Sequence, residues 1–72
     1  MPYDFSIDLD TDGRVKITFR AVINGFWERK IYDIDHTERF LLNHMDIYTE
    51  YVLNLQDEFH THVTRMRAAS AF

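Results

Sequence analysis

The sequence predicts an α+β domain in which a three-stranded antiparallel β-meander packs against a long C-terminal helix. Three observations predict this fold. Apolar and polar residues alternate through the first part of the chain, which is typical of half-buried strands. Two glycine-containing turn signals separate the alternating segments. From residue 35 onwards the chain has no glycine or proline, and its apolar residues recur every three or four positions, as in an amphipathic helix.

The first two strands are predicted at residues 3–9 and 14–23, joined by a three-residue loop that ends at Gly13. The alternation decides the loop length, because a two-residue loop would pair Asp10 with Val15 and bring a carboxylate to the apolar face. With Gly13 at positive φ, a three-residue loop avoids this conflict. The predicted pairs are Leu9–Val15, Ile7–Ile17 and Phe5–Phe19 on the core face, and Asp10–Arg14, Asp8–Lys16 and Asp4–Arg20 on the other face.

Asn24 and Gly25 predict a tight hairpin turn into a third strand at residues 26–33. The register of this strand has two alternatives, because a two-residue loop and a longer loop direct opposite faces of the strand to the core. Either alternative leaves apolar side chains on the outer face of the sheet. The two-residue loop directs Phe26, Glu28, Lys30, Tyr32 and Ile34 inwards, and the longer loop directs Trp27 and Ile31 inwards.

The remainder of the chain is predicted to form a helix at residues 36–67, which Asp35 and Glu38 begin as a capping box. Its apolar residues follow a spacing close to a heptad repeat, although Leu42 and Leu53 lie far from this stripe. Such a helix is about 48 Å long, and a strand of the predicted length spans only about 23 Å. The helix should therefore bend near residues 54–57, pack on a second copy or fray at its end. The residues predicted for self-association are Leu55, Phe59, Val63 and Met66.

Composition narrows the class of protein. The chain has 72 residues, no cysteine and a net charge of −4, and we expect residues 1–72 to form a single domain. Without cysteine there is no disulfide framework and no thiolate metal site. The acidic balance disfavours direct nucleic-acid binding. No apolar stretch is long enough to cross a membrane, and the N-terminal residues lack the pattern of a signal peptide. We therefore expect a cytoplasmic protein.

No catalytic residue, cofactor site or metal site is predicted. Ser6 lies on an exposed strand face, and both glycines belong to turns rather than to a phosphate-binding loop. His60 and His62 are two positions apart on a helix and point in nearly opposite directions, so they cannot bind one metal ion. Glu58 and His62 could share a metal, but two further ligands are missing. We therefore expect a protein that is not an enzyme.

Acidic residues provide the clearest candidate surface. Residues 40–60 contain four acids and no lysine or arginine. One interpretation is a solvated face that keeps a small protein in solution. The other is a docking surface for a partner protein with a basic groove. For the second interpretation the contact residues are Asp46, Glu50, Asp57 and Glu58 of the helix, with Asp8, Asp10 and Asp12 of the first hairpin.

Phe26 and Trp27 stand beside the second turn, and Trp27 also has two interpretations. It either fills the core beneath the helix or remains exposed as an anchor for a partner, since tryptophan is enriched in interface hot spots.

These observations predict a homodimeric, non-enzymatic, acidic interaction module that binds and inhibits or regulates a larger protein or a nucleic-acid-handling complex. In character, and not through any motif, the chain looks like the small acidic inhibitors that phages encode against host defence or transcription machinery, such as anti-CRISPR proteins. A phage-encoded protein of this kind would act in the host cytoplasm. The alternative is a structural subunit that contributes a helix to a homo- or hetero-oligomeric bundle.

Overall fold

The computed structural model describes residues 4–69 and has the predicted α+β fold. Strands β1 (Asp4–Leu9), β2 (Arg14–Ile23) and β3 (Phe26–Thr37) form one antiparallel sheet in the order β1-β2-β3. Helices α1 (Glu38–Leu42) and α2 (Met45–Ala69) follow. The helices cover one face of the sheet, called here the inner face, and the opposite side is the outer face. Neither helix is apolar enough over a sufficient length to cross a lipid bilayer.

The β1–β2 hairpin confirms the predicted register. Phe5 pairs with Phe19 and Leu9 pairs with Val15, so the alternation places the apolar side chains of both strands on the inner face. Gly13 adopts a φ of 77°, and its N–H donates to the carbonyl oxygen of Asp10 across 3.1 Å. The three-residue loop is therefore the one that the alternation requires. Position 3 of the predicted first strand lies outside the described residues.

The turn between β2 and β3 decides between the two predicted registers. Asn24 and Gly25 have φ values of 54° and 83°, which is typical of a two-residue type I′ turn. Ile23 therefore pairs with Phe26, and Val22 pairs with Trp27. The two-residue alternative is confirmed, and Trp27 lies on the outer face rather than in the core.

Replacing Gly25 with alanine is expected to lower the free energy of unfolding by about 1–2 kcal/mol, the cost of holding an L-residue in the left-handed region. No atom lies within 4 Å of the position that the added Cβ would occupy, so the whole effect is backbone strain. Asn24→Gly is the matched control, because glycine accepts positive φ without strain. Urea denaturation measures both variants, and an unchanged Gly25→Ala midpoint would contradict the type I′ assignment.

β3 extends into the segment that the sequence predicts as the start of a helix. The register between β2 and β3 shifts between Arg14 and Lys16, so that Arg14 pairs with Thr37. Helix α1 begins only after Thr37, whose side-chain oxygen accepts a hydrogen bond of 3.2 Å from the N–H of Phe40. The predicted N-cap at Asp35 is therefore wrong. Its carboxylate instead contacts the guanidinium of Arg14.

A break between α1 and α2 replaces the predicted continuous helix. Asn43 is the C-cap of α1, and its N–H donates to the carbonyl oxygen of Phe40 across 3.1 Å. The N–H of His44 donates to the carbonyl oxygen of Leu41 across 3.0 Å. The predicted bend near residues 54–57 is wrong, because α2 continues through that segment. The earlier break makes α1 a separate short helix, whose Leu41 is buried in the core.

The core joins the central strand to both helices. Phe19 of β2 stacks on Phe59 of α2 with ring centroids 5.4 Å apart, and it also contacts the rings of Phe5 and Tyr32. β2 contributes most of the buried side chains because it has a strand on each side and a helix above. The buried residues are Val15, Ile17, Phe19, Ala21, Ile23, Ile34, Leu41, Phe59 and Val63.

Two of the four residues predicted for self-association belong to the core. Phe59 and Val63 are only 1% and 0% exposed, because they pack against the sheet of the same chain. Within one chain these two side chains are therefore part of the core, and their role in self-association stays a prediction. Leu55 is half-buried against the same core, whereas Met66 is exposed. The heptad-like spacing of α2 therefore marks its contact with the sheet.

Candidate protein-binding surfaces

An apolar groove runs between β1 and the first half of α2, and it is called here the β1–α2 groove. One helix is only about 10–12 Å wide, and α2 contacts mainly β2 and β3. The inner face of β1 is therefore left partly open, with Ile7 and Leu9 44% and 49% exposed. The groove has a volume of about 320 Å³ and is lined by Phe5, Ile7, Met45, Tyr48, Thr49, Val52 and Leu53.

Three carboxylates lie on the solvent-facing side of α2, beside Leu53 of this groove. Leu53 is exposed, and it has Glu50 three residues before it and Asp57 four residues after it, spacings that make neighbours on a helix surface. Asp46 lies closest to Leu53 around the helix, two turns before it, whereas Glu50 and Asp57 also line pockets on the opposite flank of α2. The structure thus places these three predicted contact residues, all exposed, on the surface of α2 away from Phe59.

Carboxylates also occupy the outer face of β1. Asp4 and Asp8 are exposed and alternate with Phe5 and Ile7, which line the groove on the inner face. Asp8 pairs in register with Lys16, as predicted. The Lys16 ammonium nevertheless lies 3.6 Å from the carboxylate of Asp33 on β3. The cation that was predicted to balance Asp8 therefore contacts an acid on the other neighbouring strand, whereas Asp4 pairs in register with Arg20 as predicted.

The remaining predicted acids have other surroundings. The carboxylate of Asp10 accepts hydrogen bonds from the N–H groups of Asp12 and Arg14, at 2.9 and 3.0 Å. Asp10 therefore shapes the β1–β2 loop, in which Asp12 is exposed. Glu58 is separated from the β1–α2 groove, because it faces the opposite flank of α2 beside Lys30.

A polar groove on that opposite flank lies between β3 and α2. Its volume is about 630 Å³, and charges of both signs line it. Burial raises the pKa of Tyr32, and the negative charge of Glu58 raises it further. The lining consists of Lys30, Tyr32, Asn54, Asp57, Glu58, Thr61, His62 and Arg65.

Replacing Glu58 with glutamine is expected to bring the pKa of Tyr32 closer to its ordinary value of 10.0, because the repulsion of the tyrosinate disappears. A raised pKa means that folding favours the neutral phenol, so Tyr32 contributes stability that is lost as the pH rises through that pKa. Ultraviolet titration of tyrosinate, with Tyr32→Phe to identify the group, measures the shift. An upward shift in Glu58→Gln would contradict the arrangement.

The outer face carries a separate apolar patch near the second turn. Trp27 is 69% exposed there, beside Val22 and Ile31, which are also exposed. The interpretation of Trp27 as a core residue is therefore wrong, and its role as a partner anchor stays a prediction. Phe26 is 73% exposed at the same tip, on the inner face. Arg20 and Arg29 pair across the neighbouring strands of this face.

The histidines take part in aromatic contacts that sequence reasoning did not anticipate. Phe40 stacks on His36 and on His44, with ring centroids 4.4 and 4.2 Å apart. Nε2 of His36 lies 3.1 Å from the hydroxyl of Tyr51. Across residues 4–69, no three histidine, aspartate or glutamate side chains are grouped in a way that could hold a metal ion. The spacing of positions 36, 40 and 44 was the available signal for this stack.

Comparisons with protein families, with curated proteins and with solved structures found no match to this chain. The candidate surfaces are therefore defined by their residues and geometry alone.

Proposed function

We propose that this chain is a non-enzymatic, cytoplasmic interaction module that binds a segment of a larger protein and thereby inhibits or regulates it. The observation that carries this proposal is the β1–α2 groove, an open apolar surface with exposed carboxylates nearby, on the solvent-facing side of α2 and on the outer face of β1. Contiguous apolar surface of this kind is a common feature of protein interaction sites.

The groove also indicates the chemistry of the partner. Ile7, Met45 and Leu53 are exposed within it, so apolar side chains of the partner would remove them from water. Lysine or arginine beside those side chains would face the carboxylates of α2 and β1. Complementary charge accelerates association and excludes acidic competitors. Basic segments are typical of proteins that handle nucleic acids, which supports such a protein as the target.

Reversing two charges on α2 tests this chemistry. Asp46→Lys combined with Glu50→Lys is expected to weaken binding of a basic peptide by about tenfold, because rim charges on the two partners then repel. A peptide selected from a random library against the unmodified chain serves as the ligand, and isothermal titration calorimetry gives its affinity. Raising the salt concentration should weaken binding to the unmodified chain more than to the variant, since ions screen exposed charges.

Glu58→Lys is the control, because it reverses one negative charge on the same helix but on the flank of the polar groove, and so makes half the charge change of the double variant. It is expected to leave the affinity nearly unchanged. If Glu58→Lys lost half as much binding free energy as the double variant, net charge alone would govern binding. An unchanged affinity in the Asp46 and Glu50 variant would contradict docking through this acidic surface.

A second candidate is a structural subunit that self-associates or joins a helical bundle, which the exposed Leu53 and Met66 on α2 favour. Sedimentation over a range of concentrations separates the two candidates. A dimer that disappears in Leu53→Lys would favour the structural subunit, and a monomer at every concentration would exclude self-association.

A further inference from the structure

We infer that the partner segment binds as an additional β-strand on the free edge of β1, and that it alternates lysine or arginine with apolar residues. This inference rests on the proposed function and names the conformation of the bound segment. Three observations carry it: the open edge of β1, the chemistry of its two faces, and the charged side chains at the other edge of the sheet.

The edge of β1 is open within residues 4–69. In the sheet order β1-β2-β3, the strand pairs only with β2 among the described residues. The backbone N–H and C=O groups on its other side can therefore pair with another extended chain. Addition of a peptide strand to such an edge is a recurrent mode of recognition, in which the backbone supplies affinity and the side chains supply specificity.

The two faces of β1 define what the added strand must carry. Its inner side chains would lie beside Ile7 and Leu9 and reach towards Leu53 on α2, since side chains of paired strands share faces. They would therefore be apolar. Its outer side chains would lie beside Asp4 and Asp8, both exposed. Lysine or arginine at these positions forms favourable cross-strand pairs.

The other edge of the sheet lacks these features. On the inner face of β3, Glu28 and Lys30 are exposed, and charged side chains protect an edge from pairing. A second copy of β1 is also a poor occupant of the β1 edge. Antiparallel self-pairing would bring Asp4, Asp8 and Asp10 of the two copies together, and like charges opposite each other destabilise a sheet. The free edge of β1 therefore fits a basic partner better than a copy of itself.

A peptide that alternates lysine and valine over about eight residues, with blocked ends, is the direct probe. Two controls accompany it: a peptide with glutamate in place of each lysine, and one of unchanged composition with lysine and valine at helical spacing. Isothermal titration calorimetry measures affinity, and amide hydrogen exchange measures protection of β1. We expect the alternating peptide to bind at least about tenfold more tightly than either control and to slow exchange in β1.

Backbone N-methylation of the peptide supplies a second readout without altering the protein. Alternate residues of an edge strand bond to the sheet, so methylation of one alternating set should abolish binding and methylation of the other should not. If the helical-spacing peptide binds in the β1–α2 groove and β1 exchange is unchanged, the strand inference is overturned and the proposed function stands. If neither basic peptide binds, both the strand inference and the proposed function are overturned.

Discussion

Phe59→Ala is expected to lower the free energy of unfolding by about 3–5 kcal/mol, which is typical for a buried phenylalanine replaced by alanine. Phe59 is 1% exposed and stacks on Phe19 at the centre of the core. The described part of α2 buries only Phe59 and Val63 fully, so the variant loses much of the contact between helix and sheet. Domains are stable by only about 5–15 kcal/mol, and most molecules of this variant should unfold well below the transition of the unmodified chain.

Phe26→Ala is the matched control for this result. Phe26 is 73% exposed, so the same chemical change should alter stability by less than about 0.5 kcal/mol. Urea denaturation followed by circular dichroism measures both variants. Similar losses in the two would mean that α2 does not pack on the sheet through Phe59, and the arrangement of the core would be wrong.

Leu53→Lys is expected to weaken binding of a basic peptide by about thirtyfold or more, equivalent to the loss of a hot-spot contact of about 2 kcal/mol. Leu53 lines the β1–α2 groove, so the variant replaces an apolar contact with a charge that repels the partner. The side chain is exposed, and the free energy of unfolding should therefore change by less than about 0.5 kcal/mol.

Leu42→Lys is the control for that experiment, because Leu42 is as exposed as Leu53 but belongs to α1 and lies outside the groove lining. Its affinity for the same peptide should stay within about threefold of the unmodified chain, as expected for a surface change outside an interface. Binding that survives Leu53→Lys would place the contact surface elsewhere.

The first hairpin could be predicted in full from the sequence, because both of its faces agree on one register. Asp10 and Gly13 determine the loop, and no competing register keeps carboxylates off the inner face. The second hairpin could be predicted only as a pair of alternatives. Asn24 and Gly25 favour a two-residue turn, but that turn sends Glu28 and Lys30 to the inner face, which conflicted with the apolar pattern.

The beginning of the helical region was predicted wrongly, because two local signals competed and a tertiary contact decided between them. Asp35 and Glu38 have the residue types and the spacing of a capping box. Thr37 caps the helix instead, since the register shift of β3 against β2 continues strand pairing as far as Arg14 and Thr37. That shift depends on distant residues and leaves no local pattern.

The groove could be predicted only in part. The acids Asp46 and Glu50 were identified from spacing, but the groove itself depends on where α2 lies across the sheet. That lateral position leaves Ile7 and Met45 uncovered, and a helical or strand periodicity contains no information about it. Leu53, far from the apolar stripe of α2, was the one signal in the sequence that pointed to this side of the helix.

The most direct test of the β1–α2 groove as a binding surface is an amide chemical-shift map. A basic peptide selected from a random library is added to the isotope-labelled chain. Binding in the groove predicts that the largest shifts lie in β1 and in residues 45–53 of α2, and that they disappear with Leu53→Lys. Largest shifts around Trp27 on the outer face, or around Glu58 in the polar groove, would contradict it.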